Sequence, residues 1–447
     1  MKHFFKTRLL AGLAMLLGAS MASAAPFTPG NIVVARVGVT GGTAALTNAA
    51  TAVFLDEFTP AGVLVQSIAL PTAASGTNRA LTASGTATSE LNLTRSADGR
   101  YLVLTGYDAA PGTAGIVATA NPGTARVIAR IAADGSVDTS TGIGDAFSAQ
   151  NIRAAATTDG QNFYAVGGNS GVRYVPFGNP VATATVGLNA APANNRFVGA
   201  FGGNLYVTSG SAATLGVSQI GMGLPTATGQ TNTLLTGTSG LSSYAFFFAD
   251  LSPAVGGVDV LYVADDNAAG GIQKYSLVGS TWTLNGTVGP GAAGVRGLAA
   301  RITGTTVALY ASSATSLYAV TDNGGYNAAP STATLPTAAL ATATTNTAFR
   351  GAAFAPVATV GTATRATQAI PGLAVFPNPA TNRLTVALPT AGAATVALRD
   401  LTGRLVLAPA PLAADRQLYL PAGLAAGVYL LEVRQGPVTA VRRIEKK

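Results

Sequence analysis

The feature that most restricts this chain is a recurring phrase: a short apolar strand, a tight turn and a second apolar strand. It reads ELNLTRSADGRYLVL at Glu90–Leu104, RAAATTDGQNFYAV at Arg153–Val166 and RFVGAFGGNLYV at Arg196–Val207. It returns as YAFFFADLSPAVGGVDVLYV at Tyr244–Val263, VRGLAARITGTTVALY at Val295–Tyr310 and FRGAAFAP at Phe349–Pro356, where it stops at the turn. The starts lie 63, 43, 48, 51 and 54 residues apart. Short β-branched and aromatic runs split by Asp-Gly, Asn-Gly and Gly-Gly turns read as hairpins, and a period of about 40–50 residues is that of a four-stranded propeller blade. Several runs are apolar on both faces, which predicts strands covered on both sides.

The last phrase lacks partner strands, and the N-terminus supplies candidates at Asn31–Val39, Ala52–Phe58 and Val63–Leu70. A blade shared by both ends of the chain would close the ring and remove its exposed edges. The expectation is an all-β chain with a β-propeller over residues 25–357. Six phrases argue for six blades, and the gap of 63 leaves room for a degenerate seventh. A β-sandwich array and a β-helix are the competing folds. Two phrases, Arg350–Pro356 and Ala97–Leu102 (ADGRYL), resemble those of bacterial secreted β-propellers. They support the fold and say little about a ligand.

The ends differ from the body. Lys2, Lys6 and Arg8 precede an apolar run, Leu9–Leu17, and Ala22-Ser23-Ala24 follows. These are the three zones of a secretory signal peptide over residues 1–24, with cleavage expected between Ala24 and Ala25 and Ala22 at the −3 position. The run is too short to span a bilayer. Residues 358–371 are Thr/Ala-rich and read as a linker. Residues 372–447 show alternating runs that predict a small antiparallel β-sandwich.

That module resembles the type A C-terminal sorting domain of type IX secretion cargo. The resemblance rests on Pro377-Asn378-Pro379, Gly403-Arg404, Gly427-Val428-Tyr429 and a basic end with Arg442, Arg443, Lys446 and Lys447, all in order at the C-terminus. It implies passage through the Sec translocon and then the type IX machinery, to the surface or surroundings of a diderm bacterium. It also implies removal of the domain on export and, for some cargo, attachment to a lipopolysaccharide anchor. The residues themselves add that Pro377 and Pro379 cannot join a sheet ladder as donors.

Composition narrows the chemistry. The chain has no Cys, and its one His, His3, lies in the leader. No cofactor is expected, and nothing supports a triad of the serine-protease kind. Gly168-Asn169-Ser170-Gly171 therefore reads as a turn, as does Asp322-Asn323-Gly324. Asp265-Asp266-Asn267 offers oxygen ligands for Ca²⁺ but lacks the spacing of a calcium loop, so it reads as a solvated hairpin loop. Glu57 and Glu90 are the only glutamates of the body, and Trp282 is expected to pack rather than to bind sugar.

The formal charge of +8 does not mark a nucleic-acid partner. Residues 1–24 carry +3, residues 366–447 carry nine cations against four anions, and residues 25–365 carry fourteen of each, with Lys274 the only lysine. The expected function is non-enzymatic binding of a protein or glycan at the surface. The alternatives are a carboxylate-based lyase or glycosidase, with Asp residues at the channel mouth, and a structural matrix protein.

Overall fold

The computed structural model describes residues 24–267, 270–289, 294–358, 370, 372–389, 392–400, 405–436 and 438–447. Ala22, Gly403 and Arg404 lie outside the described residues. The chain divides into two units, Met1–Ala358 and Thr359–Lys447.

The first unit is a propeller of six blades. Blade 1 runs outward from Thr94–Arg95 through Tyr101–Tyr107 and Arg126–Ala132 to Val137–Ile143. Blade 2 is Ile152–Ala156, Asn162–Gly167, Val172–Pro176 and Val186–Asn189. Blade 3 is Asn195–Phe201, Asn204–Ser209, Gly216–Ile220 and Asn232–Leu234. Blade 4 is Ser243–Ala249, Val260–Asp265, Gly271–Val278 and Thr281–Val288. Blade 5 is Gly297–Thr303, Thr306–Ser312, Ser316–Asp322 and Ala341–Thr342.

Blade 6 joins the two ends of this unit. Its inner strand is Ala348–Phe354, and its outer three are Ile32–Val37, Ala50–Phe58 and Leu64–Ala69. Val34 sits between Ala352 on one side and Asp56 on the other. A short strand, Thr82–Ser84, pairs with both Ala50–Phe58 and Tyr101–Tyr107, so the seam between blades 6 and 1 is stitched a second time. The inner strands lie side by side in sequence order, and the last returns to the first.

The first five phrases each fall on the inner pair of strands of one blade, and the sixth falls on the inner strand of blade 6. The long first gap holds no seventh blade. Its extra length includes the connection 108–125 within blade 1, which carries the 3₁₀ turn Ile116–Ala118.

The doubly apolar runs are explained by blade stacking. All six residues of Ile32–Val37 are buried, because neighbouring blades cover both faces of the sheet. Small residues let the inner strands crowd toward the axis. At Gly351 an added Cβ would lie 2.1 Å from the Leu93 nitrogen of blade 1, so no side chain fits there. Trp282 packs edge-on against Phe248, 5.3 Å between ring centres, in the apolar core that blades 3 and 4 share. Such a contact contributes about 0.5–1.5 kcal/mol beyond its area.

The second unit is a two-sheet sandwich. One sheet pairs Ala374–Phe376, Arg383–Ala387 and Gln417–Tyr419. The other runs Leu405–Pro411, Thr395–Arg399, Gly427–Gln435, Val438–Lys446. Leu384, Val386, Leu398, Leu418, Leu431, Val433 and Ile444 fill the core between them.

Candidate ligand-binding site

The inner strands begin at one face of the ring, and residues at or near their starts form a tier there. In blade order these are Asn92, Arg153, Arg196, Tyr244, Arg296 and Arg350, so arginine stands within two residues of the strand start in four blades. Backbone bonds tie the tier together: Asn92 N–H donates to Arg153 O, Ala245 N–H to Arg296 O, and Gly351 N–H to Leu91 O, each at 3.1 Å. The Asn92 side chain of blade 1 reaches past blade 2 and donates from Nδ2 to Arg196 O of blade 3 at 3.1 Å.

The arginines are held in an ordered cluster. Arg196 and Arg296 both lie over the Tyr244 ring, 4.5 and 5.2 Å from its centre. Asp266 sits between them, 2.8 Å from Arg296 Nη2 and 3.9 Å from Arg196 Nη1, and accepts from Ser242 Oγ at 2.5 Å. Arg153 donates from Nη1 to Asn194 Oδ1 at 2.6 Å, while its buried Nε has no protein acceptor among the described residues. Burial holds the Arg153 guanidinium below its ordinary range. It also pulls Arg350 down to about 10, against the favourable field of Glu90 and with the repulsion of Arg296.

Glu90 lies beneath this tier, fully buried. It accepts from Tyr107 Oη at 2.5 Å, Asn151 Nδ2 at 2.6 Å and Ser84 N–H at 2.9 Å. Burial raises its pKa, and those three bonds only partly offset the shift.

Below Asn92 the channel widens to a cavity of about 400 Å³. Its wall is apolar: Phe197, Phe201, Phe246, Phe247 and Phe354, with alanines from several blades. Arg95 is the one charged side chain on this wall among the described residues, with Thr94, Ser96 and Thr157 as polar neighbours.

The acidic groups of the body are engaged elsewhere. Asp56 pairs with Arg36, Asp108 with Arg79, Asp145 with Arg173 and Asp98 with Arg100. Glu57 is buried in blade 6 and accepts from Thr28 N–H, Asn31 and Gln66. Asp322 ends a strand of blade 5 and is wholly buried against Lys274 of blade 4, 2.8 Å away, with Tyr262 donating to it at 2.6 Å. The sequence showed Asp322 only as part of a turn. The loop 265–267 also departs from expectation. Asp265 is buried, accepting from Gln273 and from Asn267 N–H, and Asp266 is bound to arginine, so neither is a solvated loop carboxylate. Ser170 sits in a left-handed turn at φ 67°, its Oγ accepting from Phe147 N–H, as a turn residue would.

In the C-terminal unit the Pro377-Asn378-Pro379 segment lies along the free edge of the last strand. Asn378 Nδ2 donates to Arg443 O at 3.0 Å, and its Oδ1 accepts from Glu445 N–H at 2.7 Å. Ala380 continues the contact, donating to Glu445 O and accepting from Lys447 N–H. The Asn378 amide thus stands in for a peptide group, between two prolines that cannot extend the ladder. Gly427 opens a strand opposite Lys446, and Tyr429 is buried beside Ile444 with its hydroxyl donating to Ala425 O at 2.8 Å. The basic end is itself a strand: Arg443 and Lys447 are exposed, and Arg442 and Lys446 half-buried. At the other terminus Ala25 O accepts from Gln66 of blade 6 at 3.0 Å, and Ala24 lies against Gly135 of blade 1.

Residues 374–447 match the family model described as the secretion system C-terminal sorting domain. The C-terminal unit is such a sorting domain. The chain is type IX secretion cargo, exported across the outer membrane of a diderm bacterium to its surface or beyond. Among the described residues no helix is long and apolar enough to cross a membrane. No curated protein sequence matches the chain.

Among solved structures, one similar chain is PorZ of Porphyromonas gingivalis, described as an essential bacterial surface component of the type-IX secretion system. It is 14% identical over 89% of this chain and 64% of its own, with a TM-score of 0.30. The sorted chain therefore spans just under two thirds of PorZ. Another is XC5397 of Xanthomonas campestris, described as a gluconolactonase, 13% identical over 74% of this chain and 98% of its own, with a TM-score of 0.35. A third, a Bacteroides thetaiotaomicron protein of unknown function, is 9% identical over 64% and 80%, with a TM-score of 0.34. Scores this low carry no argument, and the propeller rests on the strand pairings above.

Proposed function

We propose that the sorted propeller is a non-enzymatic binding module for a protein or glycan that bears acidic groups. One observation carries this reading. In a body with as many anions as cations, arginine recurs within two residues of the start of four inner strands, on a single face. Arg153, Arg196, Arg296 and the buried Arg350, whose guanidinium donates to the backbone oxygens of Gly85, Ala87 and Phe349, are accompanied by two carboxylates, Asp266 and Glu90, which leaves the tier cationic with Arg153, Arg196 and Arg296 its more accessible members. Guanidinium groups give forked, charge-assisted bonds to carboxylate and sulfate. The tier is held by stacking and backbone bonds, so little ordering entropy is lost when a partner arrives.

The carboxylates of the body support binding over hydrolysis. A glycosidase needs two carboxyl groups facing one bond across about 5–9.5 Å, and most of those of the ring are held in ion pairs, turns and buried hydrogen bonds. In this reading the leader uses the Sec translocon, the sorting domain is removed on export, and the ring is released or fixed to lipopolysaccharide.

The test is a glycan array and a surface-protein pull-down with purified mature protein, each repeated after the acidic groups of the ligand are neutralised. Binding that falls with salt, with neutralisation and with Arg196→Ala supports the reading. A partner bound equally well after neutralisation, or turnover of a polysaccharide, overturns it.

A further inference from the structure

The opposite end of the channel carries a different chemistry. We propose that the cavity of about 400 Å³ is a second site, which takes a small molecule with an apolar body and a single carboxylate, such as a medium-chain aliphatic acid. Its volume falls within the ordinary range of ligand pockets, which are mostly apolar with a few placed polar groups. The ligand enters where the inner strands finish, past Ala97, Phe201, Phe247 and Phe354, at the end away from the Asn92 bridge.

Charge selects the head group. Arg95 lies on the wall, half-buried, with Nε donating to Gly99 O at 3.1 Å. Its guanidinium rests over Gly99, where an added Cβ would come within 2.6 Å of Nη2. Among the described residues neither Nη1 nor Nη2 has a protein acceptor. The nearest acid, Asp98, is already neutralised: it pairs with Arg100 at 2.5 Å and accepts from Ser96 Oγ at 2.7 Å. Burial disfavours the charged form of Arg95, and Asp98 only partly relieves this. A cation on a mostly apolar wall, with free donors and no ion-paired acid, is complementary to an anionic head on an apolar chain. The aromatic wall then holds the chain by area, with no demand for directional bonds.

The probes are decanoate, decanol and acetate, measured by titration calorimetry against the mature full-length protein. Decanoate is expected to bind one per chain, at least about tenfold more tightly than decanol, with acetate too short to bind. Arg95→Met keeps the stem and removes the donors, so it should weaken decanoate by about tenfold or more and leave decanol unchanged. Ala97→Trp, at an exposed position on the rim, should obstruct entry and abolish both. Decanoate that does not bind, that binds no better than decanol, or that binds unchanged to Ala97→Trp overturns the proposal. The three-probe comparison on the unmodified protein needs no variant, so it decides the matter even where a substitution fails to fold.

Discussion

The ring and the sorting domain handle the same two problems, open sheet edges and charge, in opposite ways. The ring removes its edge by a contact between strands some three hundred residues apart in sequence, Ile32–Val37 against Ala348–Phe354. The sorting domain covers the edge of its last strand with the Asn378 amide and two prolines. The ring buries ion pairs inside and between blades and is nearly neutral overall. The sorting domain leaves its cations on an outer strand, where a secretion machine can meet them. One unit is built so that nothing attaches to its edge, and the other keeps its address accessible.

The largest difference should appear when one ion pair is broken in each unit. Lys274 and Asp322 are both fully buried. Lys274→Met leaves a buried carboxylate without its cation, and the ring should lose about 3–5 kcal/mol in urea denaturation. Pairing it with Asp322→Leu should restore much of that loss. A single-variant loss below about 1 kcal/mol would show that the pair is not needed for the ring.

The pH dependence inside the ring has two signs. Asp322 is buried, which alone would raise its pKa, but bonds from Lys274, Tyr262 and two backbone N–H groups bring it below its ordinary value. Its contribution is therefore present above the ordinary carboxylate range and lost as pH falls through its folded pKa. Glu90 is raised, so its contribution is full below the ordinary value and lost as pH rises through the folded one. Denaturation midpoints followed from acid to neutral pH should rise with pH on account of Asp322 and fall on account of Glu90. A Glu90→Gln protein should lack the second trend, and persistence of that trend would assign it to another group.

A smaller effect is expected in the sorting domain. Asn378→Ala removes two hydrogen bonds at an exposed edge, a loss of about 1 kcal/mol. Amide exchange at Glu445 should speed up, because its N–H loses its acceptor; unchanged exchange there would refute the edge-covering role. Smallest of all is the pair Arg399–Glu432, at 3.6 Å and more than a third exposed. Arg399→Ala should cost well under 1 kcal/mol through that pair.

Much of the fold was legible because it is written locally. Turn residues between short apolar runs mark the inner hairpins, and the spacing of Glu90, Arg153, Arg196, Tyr244, Val295 and Phe349 counts the blades. The missing partners after Phe349 pointed to the N-terminal strands for the same reason. What could not be read depends on residues far apart in sequence. Lys274 meets Asp322 only because blades 4 and 5 stack, and Asp266 meets Arg196 and Arg296 only at the axis. The arginine tier did carry a signal: the phrases at Arg153 and Arg196 open on arginine, and Arg296 and Arg350 stand second in theirs. Asn378 was visible as a motif residue, but its role as a peptide substitute needs the strand it covers.

The central claim is that the ring folds by itself while the last residues only direct it. Expressing the chain without residues 372–447 in a bacterium with a type IX system tests this directly, by locating the body and assaying its protease resistance. The predicted result is a folded, protease-resistant ring retained in the periplasm. A truncated body found outside the cell at the normal level, or one that is periplasmic but unfolded, would contradict it.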